Sequence, residues 1–533
     1  MALSDLILTL GALVALAACR PPEMSLPLPT QPPSPTTLRV VMQVTSSPPA
    51  PSPDDASGQT DVPASAAGDQ AASGTATPAP TPRPAPACPA ETGPNLRYDL
   101  NAVADLRLNT VRATEVMRFR NETGASLDEL ALQVDANRQA GVFSLINLSL
   151  EDGGPVPAYT LTGPRLTVAL PEPLGVNCSV GLRMDFVLAP MPIPATGFRG
   201  RSDHLGFSQR QLNLGRWFPT LTAHRPGEGW ILHDAFGVGE HYVLPVADFN
   251  IEITVEGAET PEVAGPGAMT QVDGDTWRFR QANARDMAFS ISERFQVASA
   301  QTESGVAVEV YYFDESVEGD GEPAGLHALD TGVGAMERYR ALYGPMPYSR
   351  VVVVASDFPD GMEFSGLVFV STNYFRAYNG SAAGWLTLIT AHELSHQWWY
   401  ALVGNDQALD PWLDEALATY SEILYIEAAH PELINWWWGF RVTSYNPQGE
   451  LGAPIYQYQS LREYINVNYL RGVLMLQDLR TALGDEAFRA WLQAYARANA
   501  GRIASPKDLW DALPAGVDME EVARIQAWYG LAP

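Results

Sequence analysis

The sequence predicts an α+β chain of several domains: an all-β part, then a mixed α/β part ending in helices. Three observations point there. From about 94 to 300, short runs alternate apolar and polar residues, as in Phe249, Ile251, Ile253 and Val255 against Asn250, Glu252 and Thr254. Period two marks strands with one buried face. From 301, continuous apolar runs such as Val351–Val354 lie between helical stretches, as in strands covered on both sides. From about 431, Trp, Leu and Tyr recur at helical spacing. The 533 residues allow two to four domains.

In chain order, Leu6–Cys19 is apolar but too short to cross a bilayer. It reads as the core of a signal peptide. Leu16-Ala17-Ala18-Cys19 resembles a bacterial lipobox, which predicts a lipidated Cys19 and an extracytoplasmic protein anchored to the bacterial cell membrane, or secreted if the anchor is absent. Asp5 before the run, with no Lys or Arg, departs from the usual positive segment. Residues 20–93 are rich in Pro, Ala, Ser and Thr. Such a composition buries too little apolar surface to order itself and predicts a tether. Cys88 and Cys178 then remain, either as a disulfide or as two free thiols.

The β part spans 94–300, with strands expected at Val116–Arg120, Phe249–Val255, Trp277–Arg280 and Phe289–Ile291. The part from 301 to 533 opens with a strand at Val308–Phe313, a helix at 328–342 and a buried strand at Arg350–Ala355. Leu367–Val370 is expected to be an exposed edge strand. The formal charge is −28 and Lys507 is the only lysine. With no basic stripe, nucleic acid is not expected as a partner.

The chemistry centres on TAHELSHQWW, residues 390–399. His392 and His396 stand four apart, so on a helix they share a face and can converge on one metal ion. Glu393 is rotated from His392 by about 100°. It lies beside the metal, where it can take a proton from water. Apolar flanks extend this helix to Val403, with Gly404 as its stop. A second helix is expected from about 411 to 428, with Asp410 as its cap and Pro411 as its first residue. Glu415 lies one turn inside it, across the short loop 404–410, as the third ligand.

HELSHQWW, then WLDEALATY, resembles the aminopeptidase N family of gluzincin zinc peptidases. That family has H-E-x-x-H, eighteen residues, then Glu in W-L-N-E-G-x-A-x-Y; residues 397–414 are the eighteen. Asp414 and Ala416 replace the usual Asn and Gly. Leu402 excludes the branch whose third ligand is a histidine, and Thr419 disfavours thermolysin-type enzymes, which carry Asp there. The resemblance implies a saddle-like N-terminal β-domain and a thermolysin-like catalytic domain. It also implies one Zn2+ per chain, held by His392, His396 and Glu415, with Glu393 as general base and peptides as substrates. Trp217-Phe218-Pro219 and Gly229-Trp230 resemble a segment of the family's β-domain.

Two further matches extend the site. Gly361-Met362-Glu363 resembles the family's G-x-M-E-N signature, which implies substrate binding by Glu363 and Met362, with Glu363 gripping the free α-amine. Phe364 departs from the usual Asn and keeps open an endopeptidase or a non-peptide hydrolase. A catalytically silent binding module is a further alternative. Tyr469-Leu470-Arg471-Gly472 resembles Y-x-K-G, which implies that Tyr469, rather than Tyr464, stabilises the oxyanion. Glu422 lies on the face of Glu415, either to orient a ligand histidine or simply solvated. Larger relatives have a long helical C-terminal domain, so a more open cleft is expected here. Oligomeric state is not legible.

Overall fold

The computed structural model describes residues 87–89, 92–194, 204–313 and 323–531. These belong to one compact unit, Arg83–Pro533. Cys19 and most of the expected tether lie outside the described residues.

The alternating runs build a seven-stranded sheet. Its spatial order is Ala268–Gln271, Thr276–Ala284, Ala247–Glu256, Leu96–Asp105, Thr110–Arg120, Ser179–Leu188 and Phe143–Leu150. Phe249, Ile251, Ile253 and Val255 are all buried while their alternates are not. The Tyr98 ring stacks on Phe249 at 4.9 Å. Leu96–Asp105 and Ala247–Glu256 run parallel. They lie far apart in sequence, so no hairpin constrains their direction. Phe289–Ser292 is buried on both faces, because it is an inner strand of a second, five-stranded sheet. Trp217 and Phe218 fill the β core, and the Trp217 indole donates to the Met287 carbonyl at 3.1 Å. Cys88 and Cys178 are joined as a disulfide.

A four-stranded sheet follows, in the order Gln296–Gln301, Ala307–Tyr312, Arg350–Ser356 and Leu367–Ser371. The boundary expected at 300 therefore cuts a hairpin, since Gln296–Gln301 pairs with Ala307–Tyr312. The last three strands are parallel, and every residue of Arg350–Ser356 is buried. Helix Ala324–Tyr343 connects the first two of these three. Its Tyr339 hydroxyl reaches the carbonyls of Ala391 (3.0 Å) and Ser421 (3.1 Å), one on each helix of the site.

Leu367–Ser371 ends the sheet but is not the exposed edge expected. All five residues are buried. Met362 and Phe369 exchange two backbone hydrogen bonds, at 3.1 and 2.9 Å, so the edge is already occupied there. A peptide cannot add to the strand at that point.

The β-rich part is tied to the α/β part through buried Arg285. Its guanidinium donates to the carbonyls of Leu244 (2.7 Å), Tyr400 (2.6 Å) and Arg502 (2.8 Å). Five N–H groups in a rigid fork suit a knot of carbonyls from distant segments.

Candidate metal and catalytic site

Helix Trp385–Ser395 carries the first ligands, and every residue from Leu386 onward is buried. It does not run to Val403 as expected. The α-helix stops at Ser395, with His396 at its C-cap. One local and one tertiary contact turn the chain there. The Trp399 carbonyl accepts from His396 Nδ1 at 2.8 Å, and Arg285 holds the carbonyl of Tyr400, whose φ is 156°. Gly404 then opens a two-residue strand with Ile503–Ala504.

The second helix spans Trp412–Ala429, within a residue of expectation. Asp410 does not cap it with its side chain; its carbonyl accepts from Leu413 N and Asn405 Nδ2, each at 3.1 Å. Glu415 lies in the first turn and is buried.

His392 Nε2 stands 3.2 Å from His396 Nε2. Glu415 Oε2 lies 3.4 Å from the first and 3.6 Å from the second. The proton positions follow from the partners. The Trp399 carbonyl can only accept, so His396 Nδ1 carries the hydrogen. His392 Nδ1 faces the Glu422 carboxylate at 3.0 Å and carries its hydrogen too. Both Nε2 atoms therefore point bare lone pairs at one spot. Glu415 Oε2 is aimed there as well, buried and without a hydrogen-bond partner in the structure. Two lone pairs and a carboxylate repel one another unless a cation sits between them. Four-coordinate zinc, with ligands at about 2.0–2.1 Å, needs its ligand atoms about 3.3–3.4 Å apart. The three atoms fit.

The carboxylates behave accordingly. Burial opposes ionised Glu415, but the two imidazoles hold it well below the usual carboxylate range. Burial pushes Glu393 up to about 8, against the pull of both histidines. Glu422 is itself fixed by Arg441 (2.8 and 2.9 Å) and by the Trp437 indole (3.1 Å). Neither partner carried a signal in the sequence.

Glu363 is buried, and its carboxylate, that of Glu393 and a ring nitrogen of His396 lie within 4.8 Å of one another. Gln407 donates to Glu363 at 3.3 Å and to Asp414 at 3.0 Å. Asp414 accepts from the Glu415 backbone at 2.9 Å. Met362, expected as a substrate contact, has its side chain in a buried cluster with Phe364 and Phe369. Phe364 is likewise a core residue, its ring 5.3 Å from Phe369.

Gln397, unremarked in the sequence, clamps this loop to the first helix. Its amide donates to the Phe364 carbonyl (3.1 Å) and accepts from Gly366 N (2.7 Å).

Tyr469 sits in a π-helical stretch, Asn466–Arg471, an irregularity frequent at functional sites. Its hydroxyl donates to Glu415 Oε1, and its ring lies parallel to His392 at 5.7 Å. Tyr464 is buried behind it, against Tyr458 and Tyr469. The close approach needs Gly472, where an added Cβ would stand 2.4 Å from Ala416 Cβ.

Residues 327–528 match the peptidase family M1 domain. The chain is 30% identical over 243 residues to endoplasmic reticulum aminopeptidase 1 of Homo sapiens, covering 43% of this chain and 25% of that protein. It is 27% identical over 262 residues to aminopeptidase N of Lactobacillus delbrueckii subsp. lactis, covering 45% and 30%. The matches thus span about a quarter to a third of these relatives. An M1 zinc metallopeptidase from Deinococcus radiodurans shares the fold, with a TM-score of 0.59 at 20% identity over 83% of this chain and 96% of that one. Zinc is the metal that the family and this donor set imply.

Proposed function

We propose that this chain is a zinc-dependent metallopeptidase that removes N-terminal residues from peptides outside the cytoplasm. One observation carries it: two bare imidazole nitrogens and an unpartnered Glu415 oxygen converge beside the buried carboxylates of Glu393 and Glu363. His392, His396 and Glu415 would hold the metal. Zinc, when bound, polarises the scissile carbonyl and acidifies water.

The remaining work falls to the protein. Glu393 takes the proton of the attacking water and delivers it to the leaving amine. Tyr469 turns its hydroxyl from Glu415 to the carbonyl oxygen as that oxygen gains negative charge. Glu363 pairs with the α-ammonium group of the substrate, which fixes the cleaved bond one residue from the N-terminus. Glu422, held by Arg441, keeps the His392 ring oriented.

The Cys88–Cys178 disulfide supports an oxidising compartment. Anchoring through a lipidated Cys19 fits that location and is proposed from the sequence alone.

The exopeptidase reading is tested with a free tripeptide and its N-acetylated form. The free peptide should be cut and the blocked one spared, and Glu363→Gln should erase most of the difference. Equal cleavage of both by the unsubstituted chain would contradict an amine anchor.

A further inference from the structure

The helix that carries His392 and His396 has one residue that is not buried, Trp385. It precedes His392 by seven residues, two turns, so it lies on the same face as both histidines, about 10 Å along the axis. Around it stand three more half-buried aromatics. Phe440 packs on Trp385 with ring centroids 5.0 Å apart, Trp436 stacks on Phe440 at 4.9 Å, and Tyr374 lies 6.4 Å from Trp385. The cluster adjoins the site at two points. Tyr374 is within electrostatic reach of Glu393. Arg441, next to Phe440, binds Glu422, and its guanidinium lies 5.4 Å from the Trp385 ring.

Direction follows from the helix. Glu363 groups with His396 and Glu393, towards the helix C-terminus. The aromatic cluster lies at the opposite, N-terminal end. A peptide whose amine is held at Glu363 leaves the metal towards Trp385. An extended residue advances about 3.3 Å, and a large side chain covers the remaining distance.

We infer that Tyr374, Trp385, Trp436 and Phe440 form a subsite for the side chain of the residue that follows the cleaved bond, and that it selects aromatic and large apolar side chains. Partly buried rings beside the site offer apolar area and aromatic edges to such a group. This rests on the peptidase reading of the same site.

The test is binding of Leu-Phe-NH2 and Leu-Gly-NH2 to the zinc-loaded full chain carrying Glu393→Gln, beside hydrolysis of both by the unsubstituted chain. Leu-Phe-NH2 should bind at least about tenfold more tightly. Trp385→Leu and Phe440→Leu should each draw that ratio towards one, scored in whichever variant melts with the parent. Equal binding of the two amides, or a ratio unchanged in both variants, overturns the subsite. Selective binding without any hydrolysis would keep the subsite and sink the peptidase reading; hydrolysis of both amides with equal kcat/KM and equal affinity would do the reverse.

Discussion

Gly361 presses so closely on Glu393 that a Cβ added there would stand 1.9 Å from Oε1. The glycine is required by the carboxylate beside it and not by its own backbone angles. Gly361→Ala should therefore displace Glu393 and cut kcat by about 100-fold or more, the scale of losing a general base. Zinc content should stay at one per chain, because the three ligands are untouched. Steady-state kinetics beside metal analysis checks both halves.

Gly472 and Ala416 form the crossing that brings Tyr469 to the ligands. Gly472→Val should cost about 1–3 kcal/mol of stability through overpacking. It should also lower kcat, since Tyr469 lies one turn earlier. A urea titration gives the first number, and turnover in the absence of urea gives the second.

Glu422→Gln leaves a group that accepts only through its carbonyl oxygen, opposite His392 Nδ1 and Arg441. Zinc affinity should fall about 10–100-fold, measured by competition with a chelator of known affinity. Activity at saturating zinc should recover much of the loss.

Glu115 is fully buried in strand Thr110–Arg120, opposite Leu100 and Met184. Neither carboxyl oxygen has a hydrogen-bond partner in the structure. Burial raises its pKa well above the usual 4.5. The folded state thus holds a proton that the unfolded chain releases, and this group's contribution to stability falls as pH rises above 4.5, by about 1.4 kcal/mol per unit until the folded group itself ionises. Glu115→Met should raise the urea midpoint at pH 8 and change it little at pH 4.5. An unchanged difference between the two pH values would contradict this.

What the sequence disclosed, and what it hid, divides along the range of the interactions. His392, His396 and Glu415 were legible because ligand chemistry and the helical period constrain residues that are close in sequence. Strand Ala247–Glu256 was legible because alternation is local. The end of the first helix was not. Trp398, Trp399, Leu402 and Val403 continue its apolar pattern, and the chain is turned after it by His396 on the Trp399 carbonyl and by Arg285, more than a hundred residues earlier. The hold of Arg441 and Trp437 on Glu422, and the Gln397 clamp on Phe364 and Gly366, join separate elements in the same way. The parallel pairing of Leu96–Asp105 with Ala247–Glu256 has no local signature. Phe364 departs from the family pattern at a position where the side chain belongs to the core.

The central claim is that a metal held by His392, His396 and Glu415, served by Glu393, cleaves peptides. It is tested most directly by following hydrolysis of a free tripeptide before chelation, after chelation, and on return of Zn2+, beside Glu393→Gln. Activity should vanish on chelation and return in full at one equivalent of Zn2+, while Glu393→Gln binds the same equivalent and stays inactive. Hydrolysis that survives chelation, or that persists in zinc-loaded Glu393→Gln, would contradict the account.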